Sequence, residues 1–135
     1  MADLDQGDAL PELRVTPDKY LPHRYAGASG DFNPIHIDSD FAQLVGLPRN
    51  ILHGLYSMAQ VARAQTEAAG SDPRALRRLK VQFRGMGIPE EEIVVTGTVR
   101  ERDGSRVVVD TEAVQAGTGI IRNAEAEIEL QAPSR

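Results

Sequence analysis

One stretch leaves this chain few folds to choose from. From about His53 to Ala69 it is alanine-rich, sets Leu55, Met58, Ala59, Val61 and Ala62 along its length, and stops at Gly70. Alanine is the best helix former, and glycine just past the last turn ends helices by taking a left-handed conformation. Beyond Gly70 the chain turns to strand. Leu79 to Arg84 alternates apolar Leu79, Val81 and Phe83 with polar Lys80, Gln82 and Arg84, the period of a strand with one buried face. Ile93 to Arg100 and Val107 to Val114 are β-branched runs joined through Asp103-Gly104, a hairpin signal, and Gly119 to Leu130 supplies a last strand. One helix with small apolar residues can lie under a closely wrapped sheet, so the expected class is α+β.

The N-terminal half is built of shorter pieces. Residues 1–9 show no hydrophobic period and read as a loose end. Leu10 to Thr16 reads as a first strand, and Pro22 suits the first position of a short helix running to about Ala28, with His23 facing solvent. Asp38 or Ser39 caps a second short helix that ends at Gly46, with Phe41, Leu44 and Val45 as its apolar face. The tail 132–135 reads as loose, and the whole of 1–135 as one domain, about the length one core needs.

Between these helices lies Tyr25-Ala-Gly-Ala-Ser-Gly-Asp31-Phe-Asn33-Pro34-Ile-His36, where a carboxylate, an amide and an imidazole surround one turn. Proline pushes the residue before it out of the α region, so Asn33 should be extended and the loop bent. Gly30 permits a positive φ just ahead of Asp31. A carboxylate beside an imidazole suits general acid–base chemistry near neutral pH. The spacing alone also fits a purely structural turn, with Asp31 and Asn33 bonded to local backbone and His36 a half-buried strand residue.

The run Tyr25 to Ala42, with Ser29-Gly30-Asp31, Asn33-Pro34, His36 and Ala42, resembles the signature of the MaoC-like family of (R)-specific enoyl-thioester hydratases and dehydratases. Ile51-Leu52-His53-Gly54-Leu55 resembles the start of that family's central helix, at the family's spacing. The resemblance implies a hot-dog fold, an antiparallel sheet wrapped around the helix. It implies that Asp31 and His36 are catalytic, activating water for addition to a trans-2-enoyl thioester or catalysing the reverse dehydration in fatty-acid, polyketide or polyester metabolism. Asn33, His53, Gly54 and Leu55 are then expected at the substrate, His53 being alternatively a hydrogen-bonded residue that shapes the helix entry. The N–H groups opening the helix at Gly54 and Leu55 would face a thioester oxygen gaining charge. Two other readings are compatible: the active subunit of a heterodimeric (3R)-hydroxyacyl dehydratase, and a hot-dog acyl thioesterase, which the Asp-x-Asn-Pro-x-His order disfavours. Arg84 to Glu92 departs from the family pattern, being acidic and lacking a Gly-Asp turn.

Composition excludes much else. With no cysteine, disulfides and thiolate metal sites are absent. Asp31, Asn33, Asp38 and Asp40 do not make a calcium loop, because Pro34 and His36 occupy positions where that loop needs a ligand and a glycine. His36 and His53 lack helical zinc spacing, so no metal and no cofactor is expected beyond coenzyme A or acyl carrier protein as the substrate's carrier. A formal charge of −5 argues against nucleic acid. Within it, Arg77, Arg78, Lys80 and Arg84 form a basic cluster that fits either an ordinary solvated strand edge or a site that attracts the carrier's phosphates, which is the role expected of it. No apolar run approaches the roughly 18 residues of a membrane span, and the acidic start is unlike a secretory signal; the expected location is the cytoplasm. A lone curved sheet around one helix leaves apolar surface, so a homodimer, or a heterodimer with a related hot-dog subunit, is expected.

Overall fold

A computed structural model describes residues 4–131. The chain runs β1 (Leu13–Val15), α1 (Leu21–Ser29), α2 (Pro34–Ile37), α3 (Ser39–Leu44), α4 (Gly54–Ala68), a 3₁₀ turn (Pro73–Ala75), β2 (Leu76–Phe83), β3 (Ile93–Asp103), β4 (Arg106–Gln115) and β5 (Thr118–Glu129). The five strands form one sheet in the order β1-β3-β4-β5-β2, and every pairing is antiparallel. This is the α+β hot-dog arrangement that the sequence implies.

The helix α4 lies on the sheet because its inward residues are small. Val61, Ala64 and Ala68 are buried, and they span two apolar clusters. Val61 and Ala64 pack with Leu13, Ile93, Val95, Ile120 and Ile121, whereas Ala68 packs with Leu10, Val99, Val107, Val109 and Ile128. Between the clusters stands Gln65, wholly buried, whose Nε2 donates to Thr111 Oγ1 at 3.1 Å. Thr111 in turn donates to the Thr96 carbonyl at 2.7 Å. A buried polar group without a partner is costly, so this pair fixes the rotation of α4 against β4. Gly97 lets the sheet come close at this level, since a Cβ there would lie 3.1 Å from Val109 and 3.2 Å from Leu10.

The hairpins follow their turn chemistry. Asp103 pairs with Arg106 across Gly104, which takes φ 62°. Gln115 pairs with Thr118 across Ala116 and Gly117, both at positive φ, the backbone of a tight hairpin turn.

One expectation needs correction. Residues 4–9 are not loose: Leu4 is wholly buried, the Gly7 amide donates to the Val99 carbonyl at 2.9 Å, and the Val99 amide donates to Asp8. The eleven-residue β3 outruns the three-residue β1, and the N-terminal segment satisfies the remaining edge of β3 while Leu4 and Leu10 enter the core. Residues 1–3 and the expected loose tail 132–135 lie outside the described residues. The apolar face of α3 is not buried within the chain: Phe41, Leu44 and Val45 are exposed, Leu44 by 84%, and only Ala42 is covered.

Candidate active site

Each end of the Asp31–His36 turn is capped by its own sequence. Gly30 closes α1 in the left-handed conformation at φ 78°, its amide donating to Ala26, which a side chain would strain. Asn33 is extended, at φ −52° and ψ 128°, and its side chain accepts the Ile35 amide at 3.2 Å. Pro34 then occupies the first helical position, where its missing N–H costs nothing. His36 rides on the short helical turn α2 and not on the strand that the purely structural reading of this turn supposed.

The turn is tied to the segment leading into α4 by four bonds. His36 Nδ1 donates to the Ile51 carbonyl at 2.9 Å, the Ile51 amide to the Ile35 carbonyl at 2.9 Å, Asn50 Nδ2 to the His36 carbonyl at 3.0 Å, and His53 Nε2 to the Asp31 carbonyl at 3.0 Å. A carbonyl only accepts, so the first bond places a proton on His36 Nδ1 and leaves Nε2 as the free nitrogen. That Nε2 stands 3.8 Å from Asp31 Oδ2. The sequence expectation that the loop joins Asp31 and His36 holds. His36 is buried whereas the Asp31 side chain is 55% exposed, so the pair meets at the rim of the fold.

Beside His36 opens a cavity of about 200 Å³, lined by Ile51, Leu52, Gly54, Ser57, Phe83, Gly85, Gly87 and Ile120. Its walls are mostly apolar, and its one helix terminus is the start of α4. The Gly54 and Leu55 N–H groups precede the first intrahelical bond, so they are available to an acceptor. Gly85 and Gly87 hold the far wall thin. A Cβ on Gly85 would fall 2.9 Å from the Gly119 carbonyl, and one on Gly87 3.0 Å from Leu52. Gln115 fixes this acidic segment by donating to the Ile88 and Glu91 carbonyls at 2.8 and 3.0 Å and accepting the Ile88 amide.

Sequence reasoning reached Asp31, His36 and Gly54, and it missed Ser57, Phe83, Gly85, Gly87 and Asn50. Ser57 carried a signal, lying three residues after Gly54 on the same helix face. Asn33, His53 and Leu55 do not line the cavity. Asn33 caps α2, Leu55 points outward at 62% exposure, and His53 is 3% exposed. The basic cluster is divided. Arg78 and Lys80 pair in register with Glu127 and Glu125, which puts them among acidic side chains on the outer face of the sheet; those same carboxylates take Arg106 and Arg100. Arg77 is exposed at a register shift, and Arg84, bonded to Gln82, follows Phe83 at the cavity mouth.

Asp31, His36 and His53 bring one possible ligand atom each within 4.8 Å of the others. The two imidazoles, however, stack at 3.9 Å with only 20° between their planes, so their in-plane lone pairs run side by side. Zinc needs them to converge at about 2.0–2.1 Å, and both rings already spend a nitrogen on backbone. The group is better suited to hydrogen bonding than to a cation. Among the described residues, no helix is long and apolar enough to cross a membrane.

Known proteins share this arrangement. A peroxisomal hydratase-dehydrogenase-epimerase of Neurospora crassa is 33% identical over 121 residues, covering 90% of this chain and 12% of its own length. A peroxisomal enoyl-CoA hydratase 2 of Arabidopsis thaliana is 32% identical over 111 residues, covering 82% of this chain and 34% of its own. This chain therefore spans about a third or less of these two relatives. A solved structure described as a MaoC-like dehydratase superposes with a TM-score of 0.89 at 30% identity, over 96% of this chain and 41% of that one. With the sequence profile described as a MaoC like domain matching residues 6–124, the chain belongs to the MaoC-like dehydratase family.

Proposed function

We propose that this chain catalyses (R)-specific hydration of trans-2-enoyl thioesters to (3R)-hydroxyacyl thioesters, or the reverse dehydration, in fatty-acid or polyketide metabolism. The observation that carries this reading is the free His36 Nε2 held 3.8 Å from Asp31 Oδ2 at the mouth of an apolar cavity that ends on the N-terminus of α4. A water hydrogen-bonded to both groups loses a proton to the pair as its oxygen bonds to C3. The electrons of the double bond move to the thioester oxygen, where the Gly54 N–H stabilises the developing enolate. The enolate then collapses and C2 takes the proton back from the pair, so one water is added in all. Asn33 serves the reaction by shaping the loop and not by proton transfer. Of the basic cluster, Arg84 is the member assigned to the phosphates of coenzyme A or a carrier protein, because it follows Phe83 of the cavity wall in the chain. The exposed apolar residues of α3 and the open edge of β2 favour association with a second hot-dog chain.

The test is incubation of purified protein with short and medium trans-2-enoyl-CoA esters, following loss of the conjugated double bond and release of free thiol separately. Loss of the double bond without thiol release, yielding the (3R) alcohol, supports the proposal. Thiol release points to a thioesterase.

A further inference from the structure

We propose that His53 is a positioning residue that holds Asp31 at its working distance from His36. The two members of that pair are not anchored alike. His36 is buried and fixed twice over, its ring on the Ile51 carbonyl and its own carbonyl under Asn50. Asp31 stands on an exposed turn whose local bonds are short-range: its amide donates to Ser29 Oγ and its Oδ1 accepts the Asn33 amide, both at 3.2 Å. Among the described residues, only the 3.0 Å bond from His53 Nε2 to the Asp31 carbonyl ties this residue to the segment that also holds His36.

The His53 ring is itself held in place. It neighbours two rings, His36 at 3.9 Å between centroids and 20°, and Tyr25 at 4.7 Å and 42°. One face therefore supports the His36 imidazole while one edge supports Asp31, so a single side chain sets the relative position of both. Its Nδ1 is buried with no partner among the described residues. An unpaired buried nitrogen costs stability, so removing it is not expected to weaken the fold. The inference rests on Asp31 and His36 being the acid–base pair, but its geometry can be tested apart from that.

The experiment compares His53→Phe, which keeps a stacking ring and loses the donor, with His53→Gln, which keeps an N–H donor and loses the ring. His53→Ala carries the same readouts if the larger ring is not accommodated. The Asn33 amide, bonded to Asp31 Oδ1, reports the carboxylate directly, and its hydrogen exchange is expected to rise tenfold or more in the Phe variant and to stay near parental in the Gln variant. Displacement of about 1 Å can cost about 10²-fold, so kcat on enoyl-CoA should fall about 10- to 10²-fold in the Phe variant with KM within about twofold. The melting temperature should be unchanged or higher, and the Gln variant should recover most of the loss. Parental exchange at Asn33 in the Phe variant, or parental kcat there while Asp31→Asn is inactive, overturns the proposal. If the parent hydrates no enoyl-CoA, the functional reading fails and the exchange result alone decides the positioning role.

Discussion

The ring of Phe83 lies against Gly54 so closely that a Cβ on the glycine would sit 3.2 Å from Phe83 Cε1 and 3.3 Å from Cδ1. Phe83 is the last residue of edge strand β2 and is half-exposed, so the ring can give way. Gly54→Ala should therefore cost the fold little and gain up to about 1 kcal/mol of helix propensity. The displaced ring and the new methyl both enter the space beside the helix N-terminus, and loss of one oxyanion contact costs about 10²- to 10³-fold. The expected result is a melting temperature equal to or above the parent's, with kcat/KM reduced at least tenfold.

Leu4 tests the corrected N-terminus. It is wholly buried and packs with Leu10, Val99 and Val107, and truncating a buried leucine costs about 2–5 kcal/mol. Leu4→Ala should lower stability by about that amount in urea titration while leaving kcat of the folded protein unchanged. A loss below about 0.5 kcal/mol would mean that the segment packs only loosely.

What the sequence revealed and what it hid divide along a physical line. The helix α4, the β3–β4 hairpin at Gly104, the positive φ of Gly30 and the extended backbone of Asn33 depend on local preferences, and their residues announce them. The packing of Leu4 depends on β3 outrunning β1, a difference in strand length that no nearby residue reports. The cavity escaped for the same reason. Gly85, Gly87 and Ile120 approach Leu52 and Gly54 through the pairing of β2 with β5 and the bond from the Leu52 amide to the Gly87 carbonyl, and the same register sets Arg78 and Lys80 beside Glu127 and Glu125. Asn50 looks like an ordinary loop residue until the segments it joins are brought together, and the bond from His53 to the Asp31 carbonyl likewise appears only in the fold.

Acid sensitivity should trace to ion pairs on the outer sheet. Hydrogen bonding to Arg100 holds the Asp110 carboxyl below its ordinary range, and Arg24 does the same for Asp18. A carboxylate whose pKa is depressed on folding stabilises the fold fully above its unfolded pKa, about 3.9, and that contribution fades as the pH falls through the lower folded value. These groups should thus leave the melting temperature flat from pH 8 to 5 and lower it below about pH 4. Both pairs are largely exposed, so the effect should be small and should shrink in 0.5 M salt. Arg100→Gln should flatten the acid limb; an unchanged limb would remove Asp110 from the account.

The exposure of Phe41, Leu44 and Val45 on α3, together with the open edge of β2, leads us to expect a dimer in solution. Light scattering at micromolar concentration should find no stable monomer. A monodisperse monomer with full activity would show that these surfaces stay in water.

The sharpest test of the site is a double-mutant cycle on Asp31 and His36. General acid–base groups contribute about 10²- to 10⁴-fold each, so Asp31→Asn or His36→Gln should cut kcat on enoyl-CoA by that order with KM little changed. The two groups share one water and one proton, and residues acting as a unit are not additive. The double variant should therefore lose little more than the worse single one. Asp31→Asn preserves an acceptor for the Asn33 amide, and His36→Gln preserves an N–H near the Ile51 carbonyl, so both should melt close to the parent. Independent losses that multiply would mean that the carboxylate and the imidazole act on different steps. Near-parental kcat in both folded variants would return the turn to a structural role.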